Sequence, residues 1–257
     1  MNAKLTIGIA AVAGALTIAA SVSGAPTRAS SSLQLQGTFQ APFNINGAAC
    51  SPGTPADVGC YAFVGDAVVP GLGRVTERYT RTFDGNRDKP CVRTLPTAVI
   101  DVAGKGAIAA AITAPECLGL PPTRFSFSYT ISGGSGAYAG ASGTIEVTSA
   151  VSEGIAGQGS AVDTWSGALT VPGLEFDVTA PTLAGAVSKT VRAPKKAKGM
   201  RVRYAVTAKD AVDGSVTTAC APRSGSFFSL GRTKVNCSAV DSSGNTTTAK
   251  FSITVKR

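Results

Sequence analysis

The chain has 257 residues, 44% of them hydrophobic, with no histidine and a formal net charge of +9. That length holds a targeting segment and two modest domains. Without histidine, Ser-His-Asp and Cys-His nucleophilic machinery and the usual catalytic zinc sets are excluded. Gly, Ala, Val, Ser and Thr dominate in many short alternating runs, with no long amphipathic helix pattern. The expectation is an all-β protein.

Residues 1–25 read as a secretory signal. Lys4 supplies the positive start, Leu5 to Ala20 is an uncharged apolar run, and Ser21, Ser23, Gly24 and Ala25 are small. An uncleaved signal anchor is the alternative, because the apolar run approaches spanning length. With cleavage, no transmembrane anchor is left, and the expected location is secreted, extracellular or cell-surface.

Residues 33–172 contain seven or eight strand-like runs. Leu33, Leu35 and Phe39 alternate with Gln34, Gln36, Thr38 and Gln40. Phe125, Phe127, Tyr129 and Ile131 alternate with Arg124, Ser126, Ser128 and Thr130, and Ile145 and Val147 flank Glu146. Turn signals at Pro70-Gly71, Asp84-Gly85 and Gly104 separate the runs. Many short strands with one apolar face point to a closed barrel or a sandwich. In Val75-Thr-Glu77-Arg-Tyr79-Thr-Arg81-Thr-Phe83, the charged Glu77 and Arg81 share parity with Val75, Tyr79 and Phe83. Buried charges are costly unless paired. Glu77, Tyr79 and Arg81 are therefore candidates to line a polar pocket. A mutual ion pair near a barrel rim and an exposed edge strand are the alternatives.

The glycine-rich segment Ile131-Ser-Gly133-Gly134-Ser135-Gly136-Ala-Tyr138-Ala-Gly140-Ala-Ser-Gly143-Thr leads into a strand and lacks a Lys-Ser/Thr ending, unlike a phosphate loop. It resembles the stretch between strands of dirigent and allene-oxide-cyclase-like barrels. That resemblance implies an eight-stranded barrel with a central cavity. It carries over no active-site residues. The plain reading is glycines that permit a tight, bulged turn.

The six cysteines of an exported chain predict three disulfides. Proximity favours Cys50–Cys60, Cys91–Cys117 and Cys220–Cys237 among the possible pairings. From Phe176 to Arg257 there are fourteen Lys or Arg against four Asp or Glu. A neutral-to-acidic first half is thus joined to a basic second one. Lys189, Arg192, Lys195, Lys196, Lys198, Arg201 and Arg203 follow one another with no acidic residue between them. Pro194 and Gly199 place the middle of the run in a loop. Such a patch attracts anionic polymers. Without interleaved aromatics or a recognition motif, no specific nucleic acid is expected as partner.

Residues 177–257 carry an ordered pattern. It runs Asp177-Val-Thr-Ala-Pro181, Val202-x-Tyr204-x-Val206-x-Ala208-x-Asp210, Asp213-Gly214 and Cys220-x-Pro222. It continues Ser224-Gly225-Ser226-x-Phe228-x-Leu230-Gly231, Val235-x-Cys237-x-Ala239-x-Asp241-x-x-Gly244-Asn245 and Phe251-x-Ile253-x-Val255. The segment resembles a hyalin repeat (HYR) module, which implies an immunoglobulin-like sandwich of the kind found in extracellular adhesion and binding proteins. Independently, Val202 to Ala208 and Phe251 to Val255 alternate as half-buried strands do.

Other chemistry is weakly marked. Asp84, Asp88, Asp101, Glu146, Glu153 and Asp163 are available for paired-carboxylate work, but their spacing selects no pair. Trp165 beside Asp163 is read as core before it is read as a sugar platform. Asp210, Asp213, Asp241 and Asn245 sit in turn contexts where oxygen ligands hold Ca²⁺, yet the EF-hand spacing is missing and Asx-type turns explain them better. No metal and no cofactor is expected. The function expected is non-enzymatic binding or adhesion, with the basic module tethering to an anionic cell-envelope polymer, polysaccharide or surface protein. The alternative is a barrel that binds a small apolar ligand or works as a cyclase-like enzyme, with the HYR module as accessory.

Overall fold

A computed structural model describes residues 32–44, 50, 58–84, 91–115, 117, 123–153 and 158–257. The export segment expected at 1–25 lies outside them, as does Asp88.

Eight strands alternate inward apolar and outward polar residues, the period that a pleated strand imposes. They are β1 (Ser32–Asn44), β2 (Val58–Val69), β3 (Gly73–Asp84), β4 (Cys91–Val102), β5 (Gly106–Thr113), β6 (Thr123–Gly134), β7 (Ser142–Glu153) and β8 (Gln158–Thr170). Each pairs antiparallel with the next, and β8 closes on β1 from Ser32↔Thr170 to Asn44↔Gln158. The result is a closed barrel, with no edge strand left to pair with another chain.

The β2–β3, β4–β5 and β6–β7 turns share one end of the barrel with the exit of the chain after β8. Leu72, Tyr138, Val171 and Phe176 are buried there and join the barrel core. The glycine-rich segment is the β6–β7 connection, a 3₁₀ turn at Gly136–Tyr138. Gly136 has φ +61°, and a Cβ on it would lie 2.5 Å from the Lys105 carbonyl oxygen. Glycine is thus required where this turn meets the β4–β5 turn. The other four connections leave from the opposite end, and much of each lies outside the described residues.

The C-terminal part contains β9 (Thr182–Ala184), β10 (Lys189–Arg192), β11 (Gly199–Arg201), β12 (Thr207–Asp210), β13 (Gly214–Val216), β14 (Thr218–Ala221), β15 (Phe227–Ser229), β16 (Gly231–Val240) and β17 (Thr246–Lys256). They form sheets in the orders β10-β17-β16-β14, β11-β15 and β13-β12-β9. Val202, Phe228, Val235, Cys237, Phe251, Ile253 and Val255 are buried together as the core.

The run expected as one strand from Val202 to Ala208 is divided. β11 precedes it in one sheet and β12 ends it in another, although Val202 and Ala208 are both buried. Ser224 explains the break. Its Oγ accepts from the Tyr204 amide at 2.9 Å and donates to the Tyr204 carbonyl at 2.6 Å, so a side chain replaces a ladder partner. Cys50–Cys60 and Cys220–Cys237 are disulfides, the second joining directly opposed residues of β14 and β16. Cys117 is disulfide-bonded as well; the side chain of Cys91, its expected partner, lies outside the described residues. Among the described residues no helix is long and apolar enough to cross a membrane.

Candidate functional site

Strand parity puts Val75, Glu77, Tyr79 and Arg81 of β3 inside the barrel, all buried. Phe127 and Tyr129 of β6, Val147 and Ser149 of β7, and Asp163 and Trp165 of β8 face them. Opposite Tyr79 and Arg81, the β3–β4 register slips, and β4 carries extra residues that include Pro96. Proline donates no ladder bond, so it belongs at such a bulge.

Glu77 and Arg81 do not form the ion pair expected as one alternative. They sit in two linked hydrogen-bond sets. The Tyr129 hydroxyl and the Trp165 indole N–H both donate to Glu77 Oε2, at 3.1 and 3.0 Å. Arg81 Nη2 donates to the Tyr79 hydroxyl at 2.9 Å, and that hydroxyl donates to Asp163 Oδ2 at 2.6 Å. Arg81 Nη2 also reaches Ser149 Oγ at 3.4 Å. The guanidinium lies 4.0 Å from the Phe63 ring centroid and 4.4 Å from that of Phe125, a cation–π box in place of a counter-ion.

Arg81 Nε is buried without a partner, and the Glu77 and Asp163 carboxyls share a hydrogen bond with each other. Glu77 Oε1 lies over Gly65, its cross-strand neighbour; a Cβ on Gly65 would stand 3.0 Å from it. Burial first, and the Asp163 charge second, push the Glu77 carboxyl well above the ordinary carboxylate range. Desolvation likewise raises the Tyr79 and Tyr129 phenols. A carboxyl held neutral beside a second carboxyl is an arrangement found at functional sites and in structural networks alike.

Aromatic rings pack around the cluster. Phe39 and Trp165 have centroids 4.1 Å apart, Phe63 stacks on Tyr79 at 4.9 Å, and Tyr129 meets Trp165 edge-on at 5.8 Å. Trp165 is only 1% exposed, which removes it as a surface platform for sugars. Among the other carboxylates singled out, Asp101 pairs with Arg78 at 2.8 Å and Glu146 is exposed. The side chains of Asp84 and Glu153 lie outside the described residues. The meeting of Glu77 with Asp163, and the parts played by Tyr129 and Ser149, were not foreseen.

The basic run occupies β10, the turn after it, β11 and the segment that follows. Lys189, Arg192, Lys195, Lys196, Lys198, Arg201 and Arg203 are all exposed. Three of them donate to carbonyls: Lys189 to Arg203, Arg192 to Arg257 and Arg201 to Gly225. Among the described residues none is in an ion pair, the single such pair being Arg78–Asp101. Lys189, Arg201 and Arg203 border a groove of about 560 Å³ floored by Val191, Met200 and Val202. A second groove of about 1010 Å³ runs past the Cys220–Cys237 disulfide, with Arg223 and Lys250 at its margin.

Residues 176–255 match the family model of the HYR domain, the immunoglobulin-like hyalin repeat. No curated protein and no solved structure matches the chain.

Proposed function

We propose that this chain is an exported, non-enzymatic binding protein of the cell surface or extracellular matrix, tethered through its HYR domain to an anionic polymer. An HYR domain is consistent with an adhesion-type extracellular module. The observation that carries the reading is the set of seven exposed cations without an acidic partner, three of them around a groove. A linear polyanion laid along that groove would exchange many small counter-ions for fixed charges, giving an attraction that salt weakens. The aromatic packing inside the barrel supports a surface mode of binding over capture of a large apolar ligand.

The test is retention of the full secreted chain on immobilised heparin and polygalacturonate across a salt gradient. Retention at low salt, release as salt rises, and much earlier release of Lys195→Glu/Lys196→Glu/Arg201→Glu are expected. No retention at any salt would remove the tether.

The buried Glu77–Asp163 carboxyl pair and the unpartnered Arg81 Nε favour a second reading, a small polar ligand held inside the barrel. A water molecule in the same place would leave them equally satisfied. Fluorescence of Trp165, the only tryptophan, reads binding there directly. A panel of small acids and amines that leaves its emission unchanged would count against this reading.

A further inference from the structure

The HYR segment from Phe176 to Arg257 holds only four acidic residues, Asp177, Asp210, Asp213 and Asp241. All four converge: each brings a carboxylate oxygen within 4.8 Å of those of the others. Fourteen Lys and Arg are present in the same segment, yet among the described residues none pairs with any of the four. The geometry of β17 accounts for part of this. The strand starts beside the Asp241–Asn245 loop and ends where Arg192 pairs with Lys256. At the usual strand rise the two ends are ~30 Å apart, beyond a Debye length at physiological salt.

Hydrogen bonds within these loops satisfy six of the eight carboxylate oxygens, Asp177 Oδ1 among them through the Thr179 amide and hydroxyl. Asp210 Oδ1 accepts from the amides of Val212 and Asp213, at 2.8 and 3.1 Å. Asp241 Oδ1 accepts from the Asn245 amide at 2.8 Å, and Oδ2 from Asn245 Nδ2 at 2.9 Å. Asp213 takes the Ser242 amide and hydroxyl, both at 2.8 Å. The turns leave Asp177 Oδ2 and Asp210 Oδ2 buried with no partner at all, and Asp210 is just 9% exposed. A turn motif gives no reason to bury an orphan carboxylate oxygen against three other carboxylates.

We propose that Asp177, Asp210, Asp213 and Asp241 form a calcium site at the junction of the barrel and the HYR domain. The donors are hard oxygens at the end of β12, in the two turns and on the linker, the set that Ca²⁺ takes with its flexible coordination of six to eight ligands. The bonds from Asn245, Ser242, Val212 and Thr179 hold the carboxylates in orientation, as supporting hydrogen bonds do around metals. The position gives the ion a task. Asp177 follows Phe176, which is buried in the barrel core, and Asn245 Nδ2 donates to the Asp177 carbonyl at 3.0 Å. The β2–β3 turn also lies against the same loop: a Cβ on Gly73 would stand 2.5 Å from the Ser242 carbonyl oxygen. One ion would therefore join the linker to three HYR loop carboxylates and fix how the HYR domain leaves the barrel.

The test uses the full secreted chain, stripped with EDTA and then titrated with calcium chloride to about 10 mM, ~10-fold above the dissociation constants of the weaker extracellular calcium modules. Calorimetry is expected to give one calcium per chain, and the melting temperature of the HYR transition to rise by several degrees. Asp177→Asn/Asp210→Asn keeps an amide oxygen at each Oδ1, which accepts the same turn hydrogen bonds from Thr179, Val212 and Asp213, so it folds and loses the calcium response. Without calcium, that variant should melt no lower than the wild type, because two like charges are gone. A wild type that neither binds calcium nor shifts its melting overturns the proposal. So does a double variant that responds as the wild type does.

Discussion

Replacing Glu77 by Gln turns the burial of one carboxyl into a measurable dependence of stability on pH. The side chain is completely buried, with two donors on Oε2 and none on Oε1. Desolvation, then the Asp163 charge, raise its pKa in the fold above the value it has in the unfolded chain. Below the unfolded value both states carry the proton, and the carboxyl costs nothing. As pH rises past that value the unfolded chain releases its proton while the folded one keeps it. Stability then falls by at most about 1.4 kcal/mol per pH unit, the limit for a single proton. The fall ends where pH passes the raised folded value. Gln has the same shape, keeps an oxygen for Tyr129 and Trp165, and does not titrate. The advantage of Glu77→Gln over wild type should thus be smallest at acid pH and grow from the ordinary carboxylate range upward. Urea unfolding followed by Trp165 fluorescence, at a series of pH values from acid to neutral, reads the barrel alone. A difference that stays flat, or shrinks as pH rises, would refute the reasoning and mean that Glu77 is ionised in the folded barrel.

Two further substitutions probe other parts of the fold. Arg81→Met keeps the contacts with Phe63 and Phe125 but takes away the cation that faces the buried Asp163 carboxylate across the Tyr79 hydroxyl; stability in urea is expected to fall by ~3–5 kcal/mol, and an unchanged stability would mean that the guanidinium does not balance that carboxylate. Cys220→Ala/Cys237→Ala opens a 17-residue separation and should lower the stability of the HYR domain by roughly 3 kcal/mol in scanning calorimetry, leaving the barrel transition in place.

What the sequence made legible is what a period of two encodes. The inward set Val75, Glu77, Tyr79 and Arg81 follows from parity alone, as do the alternating faces of β1 and β6. What it hid is what closure and loops create. Glu77 and Asp163 come together only because β3 and β8 belong to one closed barrel, and no local pattern expresses that contact. The Val202–Ala208 alternation survives in burial but not in pairing, because Ser224, distant in sequence, takes over the backbone bonds of Tyr204. Asp210, Asp213 and Asp241 were visible as turn residues. Asp177 was visible only as the start of a motif, and its unpartnered oxygen came to light only when the linker was folded against the loops.

The distribution of charge in the HYR domain links its two proposed contacts. Fourteen cations and four acids would be expected to neutralise one another in part if stability were their only office, since even exposed pairs contribute up to ~1 kcal/mol each. Here the acids gather at the loop end of β17, while the basic run borders β10, parallel to the far half of the same strand. A calcium ion at the acidic end would remove the repulsion there without touching the cations. It would therefore leave the basic groove fully charged for a polyanion and hold the barrel at a fixed angle behind it. The two contacts then predict different salt behaviour: retention on heparin should weaken with added sodium chloride, whereas the calcium-dependent rise in melting temperature should persist into higher salt, because partly buried charges are screened less than exposed ones. Loss of both effects over the same narrow range of salt would show that the acidic cluster behaves as an ordinary solvated surface.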